Sequence, residues 1–250
     1  MRLRELELAE NHWWWVARRR IVRSLVEAAK PSSCGGLSVL DVGCGSGLLC
    51  AELSGCYHVV GVDSSPDAIE WAESAHPALD FVCGEAIQIM DNISGHFDVA
   101  VMMDVLEHVD DDGHMLGSIV GKLEDQGVVI ITVPANPSLF GPHDLALGHY
   151  RRYDLKSIRD LCRRWDLDIR LLSHFNARLY PAMYLLRRTE RAFPNLSALW
   201  GRGGPPPIFN DLLLRLFEGE SRVLGRALDG GGPTYPFGGS LVAVAQRSVG

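Results

Sequence analysis

The chain has 250 residues, of which 47% are hydrophobic and 22% are charged. This length and composition are typical of a globular domain with an added segment, and they exclude a disordered or fibrous chain. The longest apolar run, residues 179–186, is too short to span a bilayer, and the first 30 residues lack the pattern of a secretory signal. Six cysteines without a Cys-x-x-Cys pair indicate reduced thiols rather than a zinc site or a disulfide framework. We therefore expect a cytoplasmic protein, either free or peripheral to the membrane.

The net charge of −7 is unevenly distributed along the chain. Residues 1–150 contain eight basic and 22 acidic residues, whereas residues 151–250 contain 16 basic and nine acidic residues. This asymmetry predicts either a basic face for an anionic partner or ordinary solvated helix faces. The acidic remainder and the lack of an aromatic RNA-binding motif argue against nucleic acid as a partner.

The N-terminal segment contains three consecutive tryptophans followed by basic residues. A helical stripe of apolar residues predicts a helix from Leu6 to Ala29, within a helical cap formed by residues 1–30. Trp14 and Arg18 are four residues apart and share a helix face. This face either covers the sheet or binds a ligand.

A glycine loop joins the first predicted strand to a helix. Leu37 to Val42 is a buried strand, and Gly43, Gly45 and Gly47 follow it before a helix over residues 48–53. The Gly-x-Gly-x-Gly spacing differs from the Gly-x-Gly-x-x-Gly of dinucleotide folds. The pattern predicts a nucleotide-type pocket at the carboxyl end of the strand.

Two acidic residues accompany this loop. Asp41 stands two residues before the first glycine, where its charge would repel a pyrophosphate and suit a ligand that carries an amine. Asp63 ends the second predicted strand, from which a carboxylate can accept hydrogen bonds from ribose hydroxyls. A helix then begins with Ser65 as its N-cap and Pro66 in its first turn, which completes a β-α-β unit.

Two further strands end in motifs. Residues 79–83 lead into Gly84-Glu85-Ala86, and Phe97 to Met103 lead into Asp104-Val-Leu-Glu-His-Val109. The glycine loop and its acids resemble those of class I S-adenosylmethionine-dependent methyltransferases of the type 11/12 group. The Leu-Glu-His-Val segment is similar to the signature of the ubiquinone-biosynthesis O-methyltransferases.

The resemblance covers residues 36–175 well and the two ends loosely. It implies an α/β, Rossmann-like fold with helices on both faces of a seven-stranded, mostly parallel sheet, in the order 3-2-1-4-5-7-6 with the last strand antiparallel. It implies S-adenosylmethionine as the cofactor, with Glu85 and the backbone of Ala86 at its adenine, although Asp is usual at position 85. The implied cofactor-binding residues are Asp41, Gly43, Cys44, Gly45, Gly47, Asp63, Ser64, Glu85, Ala86 and Met103.

The loop after the fifth strand is rich in polar side chains. A helix is predicted over residues 115–123 and a strand over residues 127–133, after which residues 134–153 contain two histidines, His143 and His149. This loop resembles that of methyltransferases that act on hydroxyl groups. We expect His143 to be the catalytic base because Asp144 is adjacent, with His149 ordering the following turn or binding substrate. Either could instead be a structural loop histidine.

Several other side chains are candidates for the substrate site. We expect Glu107 and His108 to shape the loop more than to catalyse, residues 110–112 to start a helix, and no metal to be bound. The candidate substrate-binding residues are Trp14, Arg18, His108, Asp144, Arg152 and Tyr153, with Arg18 meeting the methionyl carboxylate of the cofactor as one alternative.

The C-terminal third contains an insertion. Leu155 to Arg164 is a helix that Asp154 caps, and residues 167–174 and 240–245 are the last two strands. Helices are predicted over residues 178–193 and 208–228. We divide the chain into a cap (1–30), a cofactor-binding core (31–175), an insertion (176–239) and a final strand (240–250). The insertion is a substrate lid, a homodimer interface or, because Arg187 and Arg188 flank its apolar run, a membrane-surface element.

These observations predict O-methylation of a hydroxyl group on a small-molecule, glycan or lipid-linked acceptor. Methylation of nitrogen or carbon on a small metabolite is the alternative within the same enzyme class. A catalytically inactive, cofactor-binding regulatory protein is the alternative from another class, and a nicotinamide oxidoreductase is a more remote one.

Overall fold

A computed structural model describes residues 12–30, 36–181, 184–185 and 207–248. Its centre is a seven-stranded sheet in the order β3-β2-β1-β4-β5-β7-β6. Strands β1 to β5 are parallel, and β7 pairs antiparallel with both β5 and β6. The predicted fold class and strand order are therefore confirmed. The strands are β1 (Ser38–Val42), β2 (His58–Asp63), β3 (Asp80–Cys83), β4 (Phe97–Met103), β5 (Leu123–Pro134), β6 (Leu167–Phe175) and β7 (Ser240–Arg247).

Helices cover both faces of this sheet, and successive strand residues alternate between two cores. One core receives α1, α2, α3, α8 and α9, and the other receives α4, α5 and α7. Among the described residues, no helix has the length and apolar character needed to cross a bilayer. The α-helices are α1 (Trp13–Ala29), α2 (Leu48–Leu53), α3 (Pro66–Ala75), α4 (Ala86–Ile89), α5 (Asp112–Val120), α6 (Pro142–Ala146), α7 (Leu155–Arg164), α8 (Pro207–Glu218) and α9 (Ser221–Leu228).

Side-chain caps set where several helices begin. Ser65 accepts from the N–H of Ala68 at the start of α3, as the sequence predicts. Asp154 caps α7 by accepting from the N–H of Ser157. Helix α5 begins at Asp112, with Asp111 accepting from the N–H of His114, so residues 110–112 start a helix as the sequence predicts, and it ends at Val120, three residues before the predicted end.

The predicted helix over residues 208–228 is instead two helices. Glu220 is buried at the break, where its Oε1 accepts from the N–H of Arg178 at 3.0 Å. A Cβ on Gly219 would lie 2.6 Å from Nη1 of Arg178, so this position accepts no larger residue without a shift. Contacts with the segment after β6 therefore break the helix that the local pattern predicts. The predicted helical residues 6–11 and most of the predicted helix 178–193, with Arg187 and Arg188, lie outside the described residues.

Strand β5 is longer than predicted. The apolar run suggested residues 127–133, but the strand begins at Leu123 and continues to Pro134. Leu123 is buried and pairs with Phe97, whereas residues 124–126 are exposed at an irregularity in the register with β4, between Phe97 and Val99. Residues 124–126 are all polar and do not alternate with apolar residues, so the sequence pattern did not predict that they belong to the strand.

Candidate functional site

The glycine loop follows β1 at the carboxyl edge of the sheet. Gly43, Gly45 and Gly47 all have left-handed backbone angles, with φ of 73°, 54° and 73°. A Cβ on Gly47 would lie 2.7 Å from the ring of Phe81. The N–H of Gly43 donates to the carbonyl of Val62 at 2.7 Å, which ties the loop to β2. The loop path therefore requires residues without a side chain.

Asp63 links this loop to the next helix. Its Oδ2 accepts from the N–H of Gly45 and its Oδ1 from the N–H of Ser65, each at 2.9 Å. Because both oxygens are held by backbone donors, the carboxylate has a fixed orientation at the end of β2. Ser64 is exposed beside it.

Asp41 lies under the loop and is 2% exposed. Burial raises its pKa to about 7, although the hydrogen bond from the Cys50 thiol, at 3.3 Å, acts in the opposite direction. The negative charge of Asp63 raises the pKa further. A cationic group bound nearby would favour the ionised carboxylate.

The other predicted cofactor residues lie at the neighbouring strand ends. Glu85 is exposed at the start of α4, and Ala86 is buried in the first position of that helix. Met103 is partly buried at the end of β4, and Cys44 is buried within the glycine loop. The structure thus brings all ten predicted cofactor-binding residues to the carboxyl edge formed by β1 to β4. Their contacts with the cofactor stay a prediction.

Arg18 reaches this edge from α1 but contacts the chain itself. It is 1% exposed, its Nη1 donates to Ser240 at 2.9 Å, and its Nη2 donates to Asp104 and to Thr132. Its guanidinium carbon lies 5.3 Å from the ring centre of Trp14 and 4.8 Å from that of Phe175. The structure does not bring Arg18 to the surface of the pocket. Its contacts join α1 to the ends of β4, β5 and β7.

A pocket of about 100 Å³ opens beside this network. Its walls come from α1, from the loop after β5 and from the segment after β6. The polar walls are histidines, Arg152 and Asp144, and the apolar walls are aromatic rings and leucines. The lining residues are Trp14, Pro134, Leu139, His143, Asp144, Leu147, His149, Arg152, Tyr180, Tyr184 and Gly239.

Asp144 is the centre of the polar wall. Its Oδ1 contacts Nδ1 of His149 at 3.1 Å and accepts from Nε of Arg152 at 2.8 Å, and its Oδ2 accepts from the N–H of Gly141 at 3.0 Å. Burial alone would raise the pKa of Asp144, but the hydrogen bonds and charge of Arg152, with those of Gly141 and His149, hold it below its usual value. The carboxylate is therefore ionised at neutral pH.

Asp144 thus pairs with His149, whereas the sequence interpretation paired it with the adjacent His143. Neighbouring residues of a helix point about 100° apart, so adjacency in α6 does not bring two side chains together. His143 is exposed at the pocket rim, where the sequence placed it.

Tyr153 does not reach the pocket. It is buried, and its hydroxyl donates to Oδ2 of Asp112 at 2.8 Å. Its backbone forms a bridge with Ala135 that closes the loop after β5. Arg152, one residue earlier, points the other way and lines the pocket.

Glu107, His108 and His149 form a cluster that the sequence did not predict. Their ligand atoms lie within 4.8 Å of one another, and the two imidazole rings are perpendicular with centres 4.7 Å apart. Glu107 is 1% exposed, and its Oε2 has no hydrogen-bond partner. Burial, with the charge of Asp104, raises the pKa of Glu107 well above its usual range. One carboxylate and two imidazoles are a set that could hold a divalent cation.

A backbone hydrogen bond between two loops explains why the sequence did not predict this cluster. The N–H of Tyr150 donates to the carbonyl of Glu107 at 2.7 Å, which places His149 against His108. No local pattern links residues 107 and 149. The sequence offered one indication of the cluster: a glutamate and two histidines lie in the loops after β4 and β5, which meet at the same edge of the sheet.

Comparison with known proteins gives the family. Residues 14–186 match the methyltransferase domain family. The chain is 37% identical over 118 residues to the ubiquinone biosynthesis O-methyltransferase of Bradyrhizobium diazoefficiens, covering 45% of this chain and 44% of that protein. It is 31% identical over 142 residues to the mitochondrial ubiquinone biosynthesis O-methyltransferase of Schizosaccharomyces pombe, covering 50% and 52% of the two chains. The chain therefore spans about half the length of these relatives.

Solved structures show the same fold at low identity. The plantazolicin methyltransferase BamL, solved with a triazolic desmethylPZN analog and SAH, has a TM-score of 0.59 at 18% identity, over 93% of this chain and 86% of BamL. The [4+2]-cyclase SpnF has a TM-score of 0.59 at 17% identity, over 92% and 82% of the two chains. Since a fold can host more than one chemistry, these likenesses establish architecture alone. The family match over residues 14–186, together with the strand order and the glycine loop, places this chain among the class I S-adenosylmethionine-dependent methyltransferases.

Proposed function

We propose that this chain transfers the methyl group of S-adenosylmethionine to a hydroxyl oxygen of a small-molecule, glycan or lipid-linked acceptor. The observation that carries the proposal is the Asp144–His149 pair in the wall of the pocket. A hydroxyl acceptor must lose a proton during the reaction, and a nitrogen acceptor that is already neutral need not lose one beforehand. The names of the two relatives as O-methyltransferases support the same acceptor chemistry.

The reaction itself is an in-line displacement at the methyl carbon. A lone pair of the acceptor oxygen forms the new C–O bond while the C–S bond breaks and its electrons return to sulfur. The neutral thioether is a good leaving group, so the protein contributes orientation and proton removal. In this proposal the residues at the ends of β1 to β4 hold the cofactor, and the pocket holds the acceptor.

His149 is the proposed base. The contact with Asp144 fixes Nδ1 of His149 as the donor, which leaves Nε2 with the lone pair that can take the acceptor proton. Arg152 and the N–H of Gly141 hold Asp144 in place, so the imidazole has a defined tautomer and direction. His143, at the exposed rim, then contacts the acceptor rather than its reacting oxygen.

The cluster of Glu107, His108 and His149 supports a second way to activate the hydroxyl. If these residues hold a divalent cation through Nε2 of His149, coordination of the acceptor oxygen would lower the pKa of its hydroxyl. Asp144 would then support a metal-bound imidazole through Nδ1, a common arrangement. The unpartnered, buried Oε2 of Glu107 is the observation that favours this alternative.

The test compares three forms of the protein with radiolabelled S-adenosylmethionine and a panel of hydroxyl acceptors. Replacing His149 by Ala should lower kcat by about 10² to 10⁴-fold, while cofactor affinity stays unchanged. His143→Ala is the matched control and should raise KM more than it lowers kcat. If His149→Ala turns over normally, the proposed base is wrong.

Chelation separates the two routes of proton removal. Dialysis of the wild-type protein against EDTA should leave turnover intact if His149 acts as the base. Loss of turnover that Mg²⁺, Mn²⁺ or Zn²⁺ restores would assign Glu107, His108 and His149 to a cation instead.

A further inference from the structure

An asparagine in the loop after β5 holds one side chain of the pocket in a defined orientation. Asn136 has a left-handed backbone with φ of 65°, a conformation that asparagine adopts more readily than most residues. Its Nδ2 donates to the carbonyl of Gly238 at 2.9 Å and to the hydroxyl of Tyr180 at 3.2 Å. Tyr180 and Gly238 lie near the two ends of the insertion, residues 176–239. Asn136 therefore joins both ends of the insertion to the loop after β5.

These contacts determine where the Tyr180 hydroxyl can donate. A carbonyl oxygen only accepts, so the amide atom that faces Gly238 is Nδ2, and each of its two hydrogens then has one partner. The oxygen of Tyr180 accepts one of them, so its own hydrogen points away from Asn136. The ring centre of Tyr180 lies 5.7 Å from that of Tyr184 and 6.1 Å from that of Phe237. The ring is thus packed in place, and the hydroxyl hydrogen is the part that turns.

Arg152 places a second donor in the same pocket. Its Nε donates to Asp144 at 2.8 Å and its Nη1 donates to the carbonyl of Ala135 at 3.1 Å. Because Ala135 directly precedes Asn136, adjacent residues of one loop hold Arg152 and Tyr180, and both of these side chains line the pocket. Burial raises the pKa of the Tyr180 hydroxyl, with the charge of Arg152 acting in the opposite direction, so the hydroxyl keeps its proton at neutral pH.

Two donors in the pocket wall have no acceptor within the described part of the chain. They are the hydroxyl hydrogen of Tyr180 and Nη2 of Arg152. His149 presents the opposite property, since its Nε2 has the lone pair that takes a proton. The pocket thus has a base for a hydroxyl group and, separately, two donors for an oxygen that only accepts. A few placed polar groups among apolar walls are what orient a small ligand in such a pocket.

We infer that Tyr180 and Arg152 form a binding subsite for a second oxygen of the acceptor, a carbonyl or carboxylate oxygen, and that Asn136 positions Tyr180 for it. This inference rests on the proposed function, since the second oxygen belongs to the molecule whose hydroxyl is methylated. An acceptor with that oxygen pairs both donors and is held in one orientation. A molecule without it leaves both donors unpaired and binds more weakly.

The first test is the binding of three probes to the wild-type protein saturated with S-adenosylhomocysteine, measured by calorimetric titration. 3-Hydroxyacetophenone carries a carbonyl, 3-hydroxybenzoate carries a carboxylate, and 3-ethylphenol carries neither. The meta positions prevent a hydrogen bond within each probe. One of the first two should bind at least about fivefold more tightly than 3-ethylphenol, which is the effect of about one hydrogen bond. A preference for 3-hydroxybenzoate that weakens with salt assigns a carboxylate, and a preference for 3-hydroxyacetophenone assigns a carbonyl.

The second test removes the hydroxyl of Tyr180 and keeps its ring. In Tyr180→Phe, the affinity for the preferred probe should fall by about fivefold or more, while the affinity for 3-ethylphenol should change by less than about twofold. Tyr150→Phe is the matched control, because Tyr150 lies in the loop after β5 with 58% of its surface exposed. In this control the affinities for all three probes should stay as in the wild type.

The role of Asn136 has its own variant. Asn136→Gly keeps the left-handed backbone and removes the amide that orients Tyr180. The preference for the oxygen-bearing probe over 3-ethylphenol should fall as it does in Tyr180→Phe, and the double variant should show no further fall. An equal loss of affinity for all three probes and for S-adenosylhomocysteine would contradict a positioning role.

Two results would overturn the subsite. One is equal binding of the three probes by the wild type, including binding of none, and the other is a preference that survives in Tyr180→Phe. Methyl transfer is measured separately, with radiolabelled S-adenosylmethionine. Transfer of label without a preference among the probes would leave the proposed function intact and overturn the subsite. A preference without transfer of label to any hydroxyl compound would keep the subsite and contradict the proposed methyl transfer.

Discussion

The two halves of the carboxyl edge of the sheet are held in different ways. In the half that we propose binds the cofactor, at the ends of β1 to β4, backbone N–H groups of Gly43 and Gly45 contact Val62 and Asp63. In the half that we propose binds the acceptor, charged side chains contact one another, as in Arg18–Asp104, which are 86 residues apart, and Arg152–Asp144, which are eight residues apart. A site made from backbone is encoded in a short motif, whereas a site made from charge pairs depends on the whole fold.

The largest expected effect is on the acceptor half. Replacing the buried Arg18 by Met removes the cation from the partly buried carboxylate of Asp104 and leaves Thr132 and Ser240 without their donor. Breaking one partner of such a pair costs about 3–5 kcal/mol. Urea denaturation at neutral pH should show this loss in the free energy of unfolding.

A double variant tests whether the lost stability comes from the unpaired charge of Asp104. In the double variant Arg18→Met/Asp104→Leu, both charges are gone and much of the stability should return. If Arg18→Met alone unfolds as the wild type does, the acceptor half is not held by this ion pair.

The next effect is on the cofactor half. Replacing Gly47 by Ala places a Cβ against Phe81 at a left-handed φ, so the loop must move. We expect the affinity for S-adenosylmethionine to fall by about 10² or more, because the strain and the displaced loop together remove at least about 2–3 kcal/mol. Calorimetric titration measures this affinity directly.

Gly230 provides the control for that substitution. Its φ of 75° is close to the 73° of Gly47, and a Cβ there would meet nothing within 4 Å. Gly230→Ala should therefore cost only about 1 kcal/mol of stability and leave cofactor binding unchanged. Equal effects of the two substitutions on affinity would mean that the close approach to Phe81 is unimportant.

The smallest expected effect is a pH dependence from Asp41. Because burial raises its pKa from 3.8 to about 7, the folded state binds a proton that the unfolded state releases. Stability without cofactor should therefore fall as pH rises toward 7, by about 1 kcal/mol between roughly pH 6 and pH 7. Thermal unfolding across this range measures the trend, and Asp41→Asn should make it shallower by about this amount, because the raised pKa of Glu107 contributes with the same sign in both proteins. A wild-type curve that rises with pH in step with the variant would contradict the raised pKa.

The cofactor half could be predicted from the sequence because its signals are local. Three glycines at a spacing of two, an acid before them and an acid after the next strand lie within 23 residues, Asp41 to Asp63. Strand order followed from the family resemblance, and the structure confirms it.

The acceptor half could not be predicted to the same depth. Arg18 and Asp104 are separated by 86 residues, and only the fold brings them together. Asp144 was assigned to its neighbour His143 because a sequence shows adjacency and not direction. The hydroxyl of the buried Tyr153 donates to Asp112, which begins helix α5, 41 residues away. The partners of Arg18 and Tyr153 lie far away in the chain, and the partner of Asp144 is five residues away, beyond the end of its own helix.

The central claim is that cofactor binding and proton removal lie in separate halves of this edge. Calorimetric titration with S-adenosylhomocysteine tests it without any acceptor, in the wild type and in Asp63→Ala and His149→Ala. Asp63→Ala should lose about 1.5–3 kcal/mol of binding free energy, since it removes hydrogen bonds to a charged group, and His149→Ala should bind as the wild type does. Unchanged affinity in a folded Asp63→Ala protein, or a loss in His149→Ala as large as that in Asp63→Ala, would contradict the division.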